Sequence, residues 1–274
     1  MERPGTHEVP QLHAALMITC VVDIVAPDVG EAAVRLLRAA GCRVTCDLTQ
    51  TCCGQPGWNA GFVNEAAAVA RPTLDALEAE LERGADVVVV PAGSCATMVR
   101  QFWPDLFDRA GDPVAAERAR LVGGRTRELS ELLAERADAL PELRLAGATQ
   151  VALQRSCHLR RELRVTEQPA ELLSRVEGCE PVAWAGADCC CGFGGPFSVG
   201  PPETSVALAD DALADDALSD LATTDDVDAV VGCDASCLLH LRTRAEALGT
   251  PVEVRHLAEL LAEALPAAAG WSTP

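Results

Sequence analysis

The sequence contains no lysine, so all of its 22 basic residues are arginines, and 41 acidic residues outnumber them. The formal net charge is −19 at pH 7. Proteins that bind nucleic acid need clustered cations to displace the counterions of the phosphates. The small number of cations therefore argues against a nucleic-acid partner, and we interpret the acidic residues as a solvated surface.

The sequence also lacks a long uninterrupted apolar segment. Its first residues, MERPGTHE, contain no apolar core of the kind found in signal peptides, and later apolar stretches are interrupted by Cys, Asp or Pro. We therefore expect neither a signal peptide nor a membrane span, and we expect a cytoplasmic protein. In a reducing compartment the 13 cysteines are not expected to form disulfides, which leaves metal binding or redox chemistry.

Two common motifs of redox proteins are missing. The glycines at 192, 194 and 195 do not have the G-x-G-x-x-G spacing, so we predict no flavin or NAD site. The C-x2-C-x2-C-x3-C run of ferredoxins is absent as well. We expect the glycines that follow the cysteines to let backbone N–H groups approach sulfur closely.

Short apolar runs alternate with segments of helical periodicity along the chain. The predicted strands cover residues 14–22, 43–48, 86–90, 148–153, 181–184, 228–231 and 252–254. The predicted helices between them cover residues 29–40, 62–83, 167–176, 203–221 and 256–265, and another begins near 240 and ends at 249. This alternation predicts an α/β fold with two tandem repeats of a Rossmann-like βαβ unit and parallel sheets.

The predicted domain boundaries follow from these elements. Residues 12–107 form the first domain, residues 147–265 form the second, and residues 108–146 form a helical connector, since 108–141 shows helical spacing of leucines and no strand signal. In parallel sheets, ligands collect at the carboxyl ends of the strands. We therefore expect the functional residues of each domain at that edge.

The cysteines repeat with nearly equal spacing in the two predicted domains. The first copy reads C-x31-CCG-x40-C and the second reads C-x32-CCG-x40-C-x3-C. The apolar strands also end in step, because VVVVPAGSC (87–95) matches AVVGCDASC (229–237), with Pro91 in the place of Cys233. The candidate ligands are Cys20, Cys52, Cys53 and Cys95 in the first copy, and Cys157, Cys190, Cys191, Cys233 and Cys237 in the second.

Adjacent cysteines with long spacings favour an iron–sulfur cluster over a zinc site, because zinc knuckles usually use close C-x2-C pairs. Zinc and free thiols remain alternatives, and the first copy has fewer candidate ligands than the second. Cys189 precedes the second CCG and has Thr51 as its counterpart, so we leave it out of the site.

Several motifs together resemble the cysteine-rich (CCG) domain family. They are ITCVVDIVAPDVG, TCCGQPGWNAG, PAGSCATM, SCHLRRELRV, CCGFGGPFSV and GCDASCLLHL, and the resemblance covers about residues 14–260. Within this family the chain is most similar to the iron–sulfur proteins of lactate utilisation. Related CCG domains occur in heterodisulfide reductase, in its cysteine-rich subunit, and in the iron–sulfur subunit of glycolate oxidase, and both remain alternatives.

The resemblance implies one or two [4Fe-4S] clusters of the cubane or the non-cubane kind. It implies an oxidoreductase component that acts with two partner proteins, a ferredoxin-like iron–sulfur protein and a third subunit, in oxidising L-lactate to pyruvate. The five ligand positions of the family match Cys157, Cys190, Cys191, Cys233 and Cys237 in the second copy. In the first copy Pro91 replaces one of them, so its cluster is an open question. A zinc-stabilised scaffold without electron transfer is the alternative from another class.

Three further side chains near Cys157 are candidates for contacts around the metal. His158 could donate a hydrogen bond to sulfur, and Arg160 and Arg161 could offset negative charge or bind a carboxylate. A satisfied polar histidine and a solvated arginine face are the alternatives.

Overall fold

The computed structural model describes residues 11–213, 227–249 and 253–267. It contains two four-stranded sheets whose strand orders are β2-β1-β3-β4 and β6-β5-β7-β8, and all pairings are parallel. The strands are β1 Leu12–Leu16, β2 Cys42–Thr45, β3 Val87–Val90, β4 Thr126–Glu128, β5 Leu143–Gln154, β6 Val176–Val182, β7 Ala229–Gly232 and β8 Val254–His256. The predicted α/β fold with two repeated parallel units is confirmed.

Helices connect these strands in both halves, and the described part of the first half contains more of them than that of the second. In the first half they are α1 Cys20–Val25, α2 Pro27–Ala39, α3 Gln55–Asn59, α4 Val63–Glu82, α5 Gly93–Thr97, α6 Trp103–Arg109, α7 Pro113–Gly124 and α8 Leu129–Glu135. In the second half they are α9 Gln168–Ser174, α10 Pro202–Ala212, α11 Ala235–Leu248 and α12 Leu257–Glu263. None of the helices that the structure describes combines the length and apolar character needed to cross a bilayer.

The described residues also contain single turns of π-helix and 3-10 helix. The π-helical turns are Met98–Phe102, between α5 and α6, and His158–Glu162, directly after Cys157. The 3-10 turns are Ala137–Ala139, Ala185–Asp188 and Gly195–Ser198. Because π-helical turns often mark functional positions, both point to the strand edge where the cysteines lie.

The apolar run 14–22, predicted as one strand, is divided in the structure. Strand β1 ends at Leu16, and α1 begins at Cys20 because Thr19 caps it: the Thr19 Oγ1 accepts a hydrogen bond from the Val22 N–H at 3.3 Å. Cys20 therefore lies in the first turn of a helix and not at the end of a strand.

The prediction of no strand between 108 and 141 was wrong. Thr126–Glu128 forms β4, which pairs with β3 and completes the first sheet. Three residues, two of them charged, are too short and too polar for an apolar pattern to reveal them. The boundaries 12–107, 108–146 and 147–265 stay predictions. The predicted helix 203–221 is seen as Pro202–Ala212, and its residues 214–221 lie outside the described residues.

The two halves share a large hydrophobic cluster, and a smaller cluster lies within the second half. Leu129 and Leu133 of α8 lie in the same buried cluster as Leu257 and Leu261 of α12. The Arg35 guanidinium reaches across to the carbonyl of residue 262 in α12 at 2.9 Å. Burial of these leucines stabilises the attachment of the halves, since each buried leucine contributes about 2 kcal/mol.

The halves also end in matching strand–helix corners. Residues 126–135 read TRELSELLAE and residues 254–263 read VRHLAELLAE. Glu128 and His256 take the same place as N-caps, each in a capping box with a glutamate three residues on. The repeat therefore extends beyond the cysteine motifs.

Candidate functional site

Every candidate cysteine of the first half follows the carboxyl end of a strand. Cys20 opens α1 after β1, Cys52 and Cys53 lie in the loop between β2 and α3, and Cys95 lies in α5 after β3. The chain passes from β1 to β2 on one side and then returns to β3 on the other side of β1. Such a reversal leaves a crevice at the carboxyl edge of the sheet, where ligands bind in open α/β folds.

The first group of cysteines consists of two pairs of thiols. The Sγ atoms of Cys20 and Cys52 are 3.5 Å apart, and those of Cys53 and Cys95 are 3.2 Å apart. Cys53 and Cys95 are buried, whereas Cys20 and Cys52 are partly exposed. We call Cys20, Cys52, Cys53 and Cys95 the first thiol group.

The second half repeats this arrangement. Cys157 hydrogen-bonds with Cys190, and Cys191 hydrogen-bonds with Cys237. Cys191 and Cys237 are buried, and Cys157 and Cys190 are partly exposed, which matches the first half pair by pair. We call Cys157, Cys190, Cys191 and Cys237 the second thiol group.

One cysteine of each CCG pair is strongly acidic. The hydrogen bond from Cys20 lowers the pKa of Cys52 to about 3, and that from Cys157 lowers the pKa of Cys190 to about 2. The same hydrogen bonds raise the pKa of Cys20 and of Cys157 above the ordinary value of 9.0. The shifts in each outer pair favour one thiolate beside one thiol, and thiolates are the form that binds metal.

The glycine of each CCG motif supports its thiolate through the backbone. The Gly54 N–H donates to Cys52 Sγ at 3.4 Å, and the Gly192 N–H donates to Cys190 Sγ at 3.5 Å. Both glycines have φ near +80°, a region that residues with a Cβ rarely adopt. A Cβ on Gly54 would lie 2.6 Å from the Ala66 oxygen, and one on Gly192 would lie 2.2 Å from the Ser205 oxygen.

The two thiol groups face a common cavity of about 130 Å³ between the halves. Its wall contains seven of their eight cysteines, namely Cys20, Cys53, Cys95, Cys157, Cys190, Cys191 and Cys237, whereas Cys52 does not line it. Gln55, Asn59, Ser94, His158 and Ser236 supply its polar atoms. The sequence placed the cysteines on two separate edges, whereas the structure brings both edges to one cavity.

Residues 14–100 and 151–242 match the cysteine-rich domain named CCG. The chain belongs to the CCG family. The predicted family resemblance is thereby confirmed.

Curated relatives extend this CCG match over most of the chain. Lactate utilization protein A of Exiguobacterium sp. is 35% identical over 254 residues, which are 92% of this chain and 97% of that protein. The protein of the same name from Geobacillus kaustophilus is 35% identical over 253 residues, 91% of this chain and 98% of its own length. The one from Shouchella clausii is 34% identical over 250 residues, with coverage of 91% and 98%.

Solved structures contribute only a distant likeness to this CCG protein. An aspartate racemase homologue from Pyrococcus horikoshii aligns over 92% of this chain and 96% of its own, at 11% identity and a TM-score of 0.33. That score supports no conclusion about the site.

The structure does not bring Cys233 into the second thiol group. Cys233 directly follows β7, as Pro91 directly follows β3, and its buried side chain lies beside Glu128, Ser130 and His256. Burial raises the pKa of the Cys233 thiol. Two alignments of the halves are therefore distinguished. Aligning the strand ends pairs Cys95 with Cys237, as the structure does, whereas aligning the equal x40 spacings would pair Cys95 with Cys233.

The three candidates beside Cys157 have different surroundings. His158 Nδ1 lies 3.7 Å from Cys157 Sγ, and His158 also lines the cavity. Arg160 is held by Asp188, with 3.5 Å between its Nε and Oδ1. Arg161 is exposed, and its charge adds to the lowering of the Cys190 pKa, behind the hydrogen bonds of Cys157 and Cys191.

Sequence reasoning missed several polar residues of the site. Gln55 donates from Nε2 to the Ser94 oxygen at 3.2 Å, and the Trp103 indole donates to the Cys53 oxygen at 2.8 Å. Asp234, which is buried, accepts a hydrogen bond from the Ser94 N–H of the other half at 2.8 Å. The sequence did contain a signal for Asp234. When the strand ends are aligned, Asp234 takes the place of Ala92, so the second copy has a charged residue where the first has none.

Proposed function

We propose that this protein is an iron–sulfur subunit of a lactate-utilisation system, in which it carries electrons during oxidation of L-lactate to pyruvate. The observation that carries the proposal is the pair of matching thiol groups, seven of whose eight cysteines line one cavity. The name printed for the relatives, lactate utilization protein A, supports the assignment to lactate.

The spacing of the cysteines favours a cluster of several irons over a single zinc ion, because adjacent cysteines with long spacings differ from the close C-x2-C pairs of zinc knuckles. Within residues 11–213, 227–249 and 253–267, no three His, Cys, Asp or Glu side chains converge on one metal-ion position. In a [4Fe-4S] cluster each thiolate binds its own iron.

We infer that each thiol group holds one [4Fe-4S] cluster, with Cys20, Cys52, Cys53 and Cys95 as ligands in the first half and Cys157, Cys190, Cys191 and Cys237 in the second. A bound cluster would accept and release single electrons. The chain would supply burial through Cys53 and Cys191 and backbone N–H groups at Gly54 and Gly192, which donate to ligand sulfur. Whether each cluster is cubane or non-cubane is an outcome of the spectroscopy below.

The remaining parts of the proposal concern the setting of the protein. We propose that it works in the cytoplasm with two further lactate-utilisation proteins, a ferredoxin-like iron–sulfur protein and a third subunit. This chain shows no G-x-G-x-x-G fingerprint for a nicotinamide or flavin, so a separate subunit would provide a hydride acceptor if the reaction uses one. The proposal therefore expects turnover of L-lactate by the three proteins together.

The test is metal and sulfide analysis of the protein purified without oxygen. We expect about eight irons and eight acid-labile sulfides per chain, and electron paramagnetic resonance signals from both sites. Stoichiometric zinc without sulfide would instead indicate the scaffold alternative and overturn the proposal. The Cys190→Ser variant should lose the signal of the second site.

Cys189→Ser is the matched control for that variant. Cys189 is the neighbour of Cys190 and is also partly exposed, but it belongs to neither thiol group, and its carbonyl accepts a hydrogen bond from Gln154 at 3.4 Å. We expect this control to keep its full iron and sulfide content. Loss of iron from it would show that the wrong cysteine of the triplet has been assigned.

A further inference from the structure

Asp234 is the charged difference between the two turns that carry the last cysteine of each thiol group. The first turn reads PAGSC (91–95) and the second reads CDASC (233–237). The other positions of the first turn are uncharged, and Ala92 occupies the place of Asp234. The two turns thus share their serine and last cysteine, and the second carries a carboxylate that the first lacks.

This carboxylate is buried and firmly held. Asp234 is 1% exposed. Its Oδ1 accepts hydrogen bonds from the backbone N–H and the hydroxyl of Ser236, and its Oδ2 accepts from the Ser94 N–H of the first half at 2.8 Å. These donors carry no formal charge, so they stabilise the carboxylate without cancelling its negative charge.

Asp234 lies beside the second group because it caps the N-terminus of α11, and Cys237 lies in the first turn of that helix. In the first half Ala92 takes this place before α5, which carries Cys95, and its side chain makes no capping hydrogen bond.

The cations near the second group do not balance this charge. Arg155 and Arg160 are engaged with Asp188, at 2.7 and 3.5 Å. Arg161 is exposed, where water and salt screen a charge far more strongly than in a buried site. The buried carboxylate therefore has the larger influence on the potential at the second thiol group.

We propose that Asp234 holds the reduction potential of a cluster at the second thiol group below that of a cluster at the first. Negative charge in a poorly hydrated site opposes the addition of an electron. An electron shared by the two sites would therefore reside mainly at the first group. The inference rests on the proposed function, because it requires a cluster at each site.

The test is a redox titration of the anaerobic protein followed by electron paramagnetic resonance. Cys190→Ser identifies which signal belongs to the second site. In Asp234→Asn, which removes the charge at nearly constant shape, we expect the second midpoint to rise, so that the ratio of reduced to oxidised second site at a fixed potential increases about tenfold. The first midpoint should move less. The control Asp138→Asn, at a residue whose side chain is 97% exposed, should shift neither.

A second variant guards against a structural effect of the amide. In Asp234→Asn, an amide nitrogen would replace one of the two accepting oxygens. It would face a donor of Ser94 or of Ser236, and that hydrogen bond would be lost. Asp234→Ser also removes the charge but keeps a hydroxyl that can cap α11. A rise of the second midpoint in both variants supports the inference.

Unchanged midpoints in variants that keep their iron, or equal shifts of both midpoints, would overturn it. Failure of the proposed function looks different, because the unaltered protein would then contain no iron and sulfide.

Discussion

The first and second thiol groups have the same internal arrangement and different surroundings. Each has a partly exposed pair, Cys20 with Cys52 and Cys157 with Cys190, and a buried pair that includes the second cysteine of its CCG. Around the second group lie Asp234, Arg161 and His158, whereas the pKa shifts of Cys20 and Cys53 in the first arise from neighbouring thiols and burial.

This difference teaches that the repeat keeps the positions that hold sulfur and varies those that set charge. The corner residues follow the same rule. Glu128 in the first half and His256 in the second are equivalent N-caps, both fully buried, with opposite charge when ionised. The two thiol groups have one geometry and different charged residues around them, and this comparison can be tested directly.

The largest expected effect comes from removing one thiolate in each half. We expect Cys52→Ser and Cys190→Ser each to lose about half of the iron and sulfide, because each removes the acidic cysteine of one group. Iron and sulfide analysis with spectroscopy measures the loss. If either variant lost all of its iron, the two groups would have to be treated as one site.

The next effect concerns the glycines of the two CCG motifs. Gly54→Ala and Gly192→Ala should each lower the free energy of unfolding by about 2 kcal/mol or more, from a left-handed backbone plus a steric clash. Gly192→Ala should lower the free energy of unfolding more than Gly54→Ala, because its Cβ would lie 2.2 Å from a backbone oxygen, compared with 2.6 Å at Gly54. Denaturant titration measures both.

Gly61→Ala is the matched control for this pair. Gly61 has φ +81°, like Gly54, but a Cβ there would have nothing within 4 Å. We expect the free energy of unfolding to fall by about 1–2 kcal/mol, which is the cost of the left-handed backbone alone. A loss equal to that of Gly54→Ala would show that the oxygen contact contributes nothing.

The buried corner residues predict opposite dependences of stability on pH. Burial raises the pKa of Glu128 from 4.5 to about 7, so the folded state binds the extra proton and Glu128 makes stability fall as pH rises from about 4.5 to about 7. Burial lowers the pKa of His256 from 6.5 to about 4, so the unfolded state binds the extra proton and stability rises with pH from about 4 to about 6.5.

Single variants should separate these two contributions, each of about 3 kcal/mol. In Glu128→Gln the stability should rise between about pH 4 and 6.5, and in His256→Asn it should fall between about pH 4.5 and 7. Unfolding by denaturant at several pH values measures the slopes. Identical pH profiles for the two variants would contradict the burial of both groups.

The smallest effect is expected at Cys233. Cys233→Ala should keep its full iron and sulfide content, because the side chain lies beside Glu128 and His256 and does not line the cavity of the thiol groups. The lost packing should cost about 1 kcal/mol. Loss of the second signal in this variant would make Cys233 a fifth ligand and end the equivalence of the two halves.

Much of this architecture was predictable from the sequence. Buried strands such as Val87–Val90 are apolar throughout, and each is followed closely by a cysteine, so both the parallel sheets and the edge that holds the thiols could be read directly. The pairing of Cys95 with Cys237 was also available, since their strands end in step.

Other features were hidden because they depend on contacts between distant residues. A five-cysteine pattern cannot show that Cys233 lies against α8 of the other half, and three residues of β4 carry too little periodicity to be recognised. The approach of both thiol groups to one cavity depends on the packing between the halves. Spacing within one copy contains no information about that packing.

The contact at Gly93 has a consequence for how this protein can change over time. A methyl group at Gly93, in the first half, would come within 2.9 Å of Leu159 in the second, and the Gly93 N–H donates to the Cys233 oxygen at 3.3 Å. If one half were replaced by the corresponding half of a relative, the new half would have to fit the surface of the half that remains. The two repeats therefore cannot vary independently at this contact, because a substitution in one half is constrained by the residues of the other.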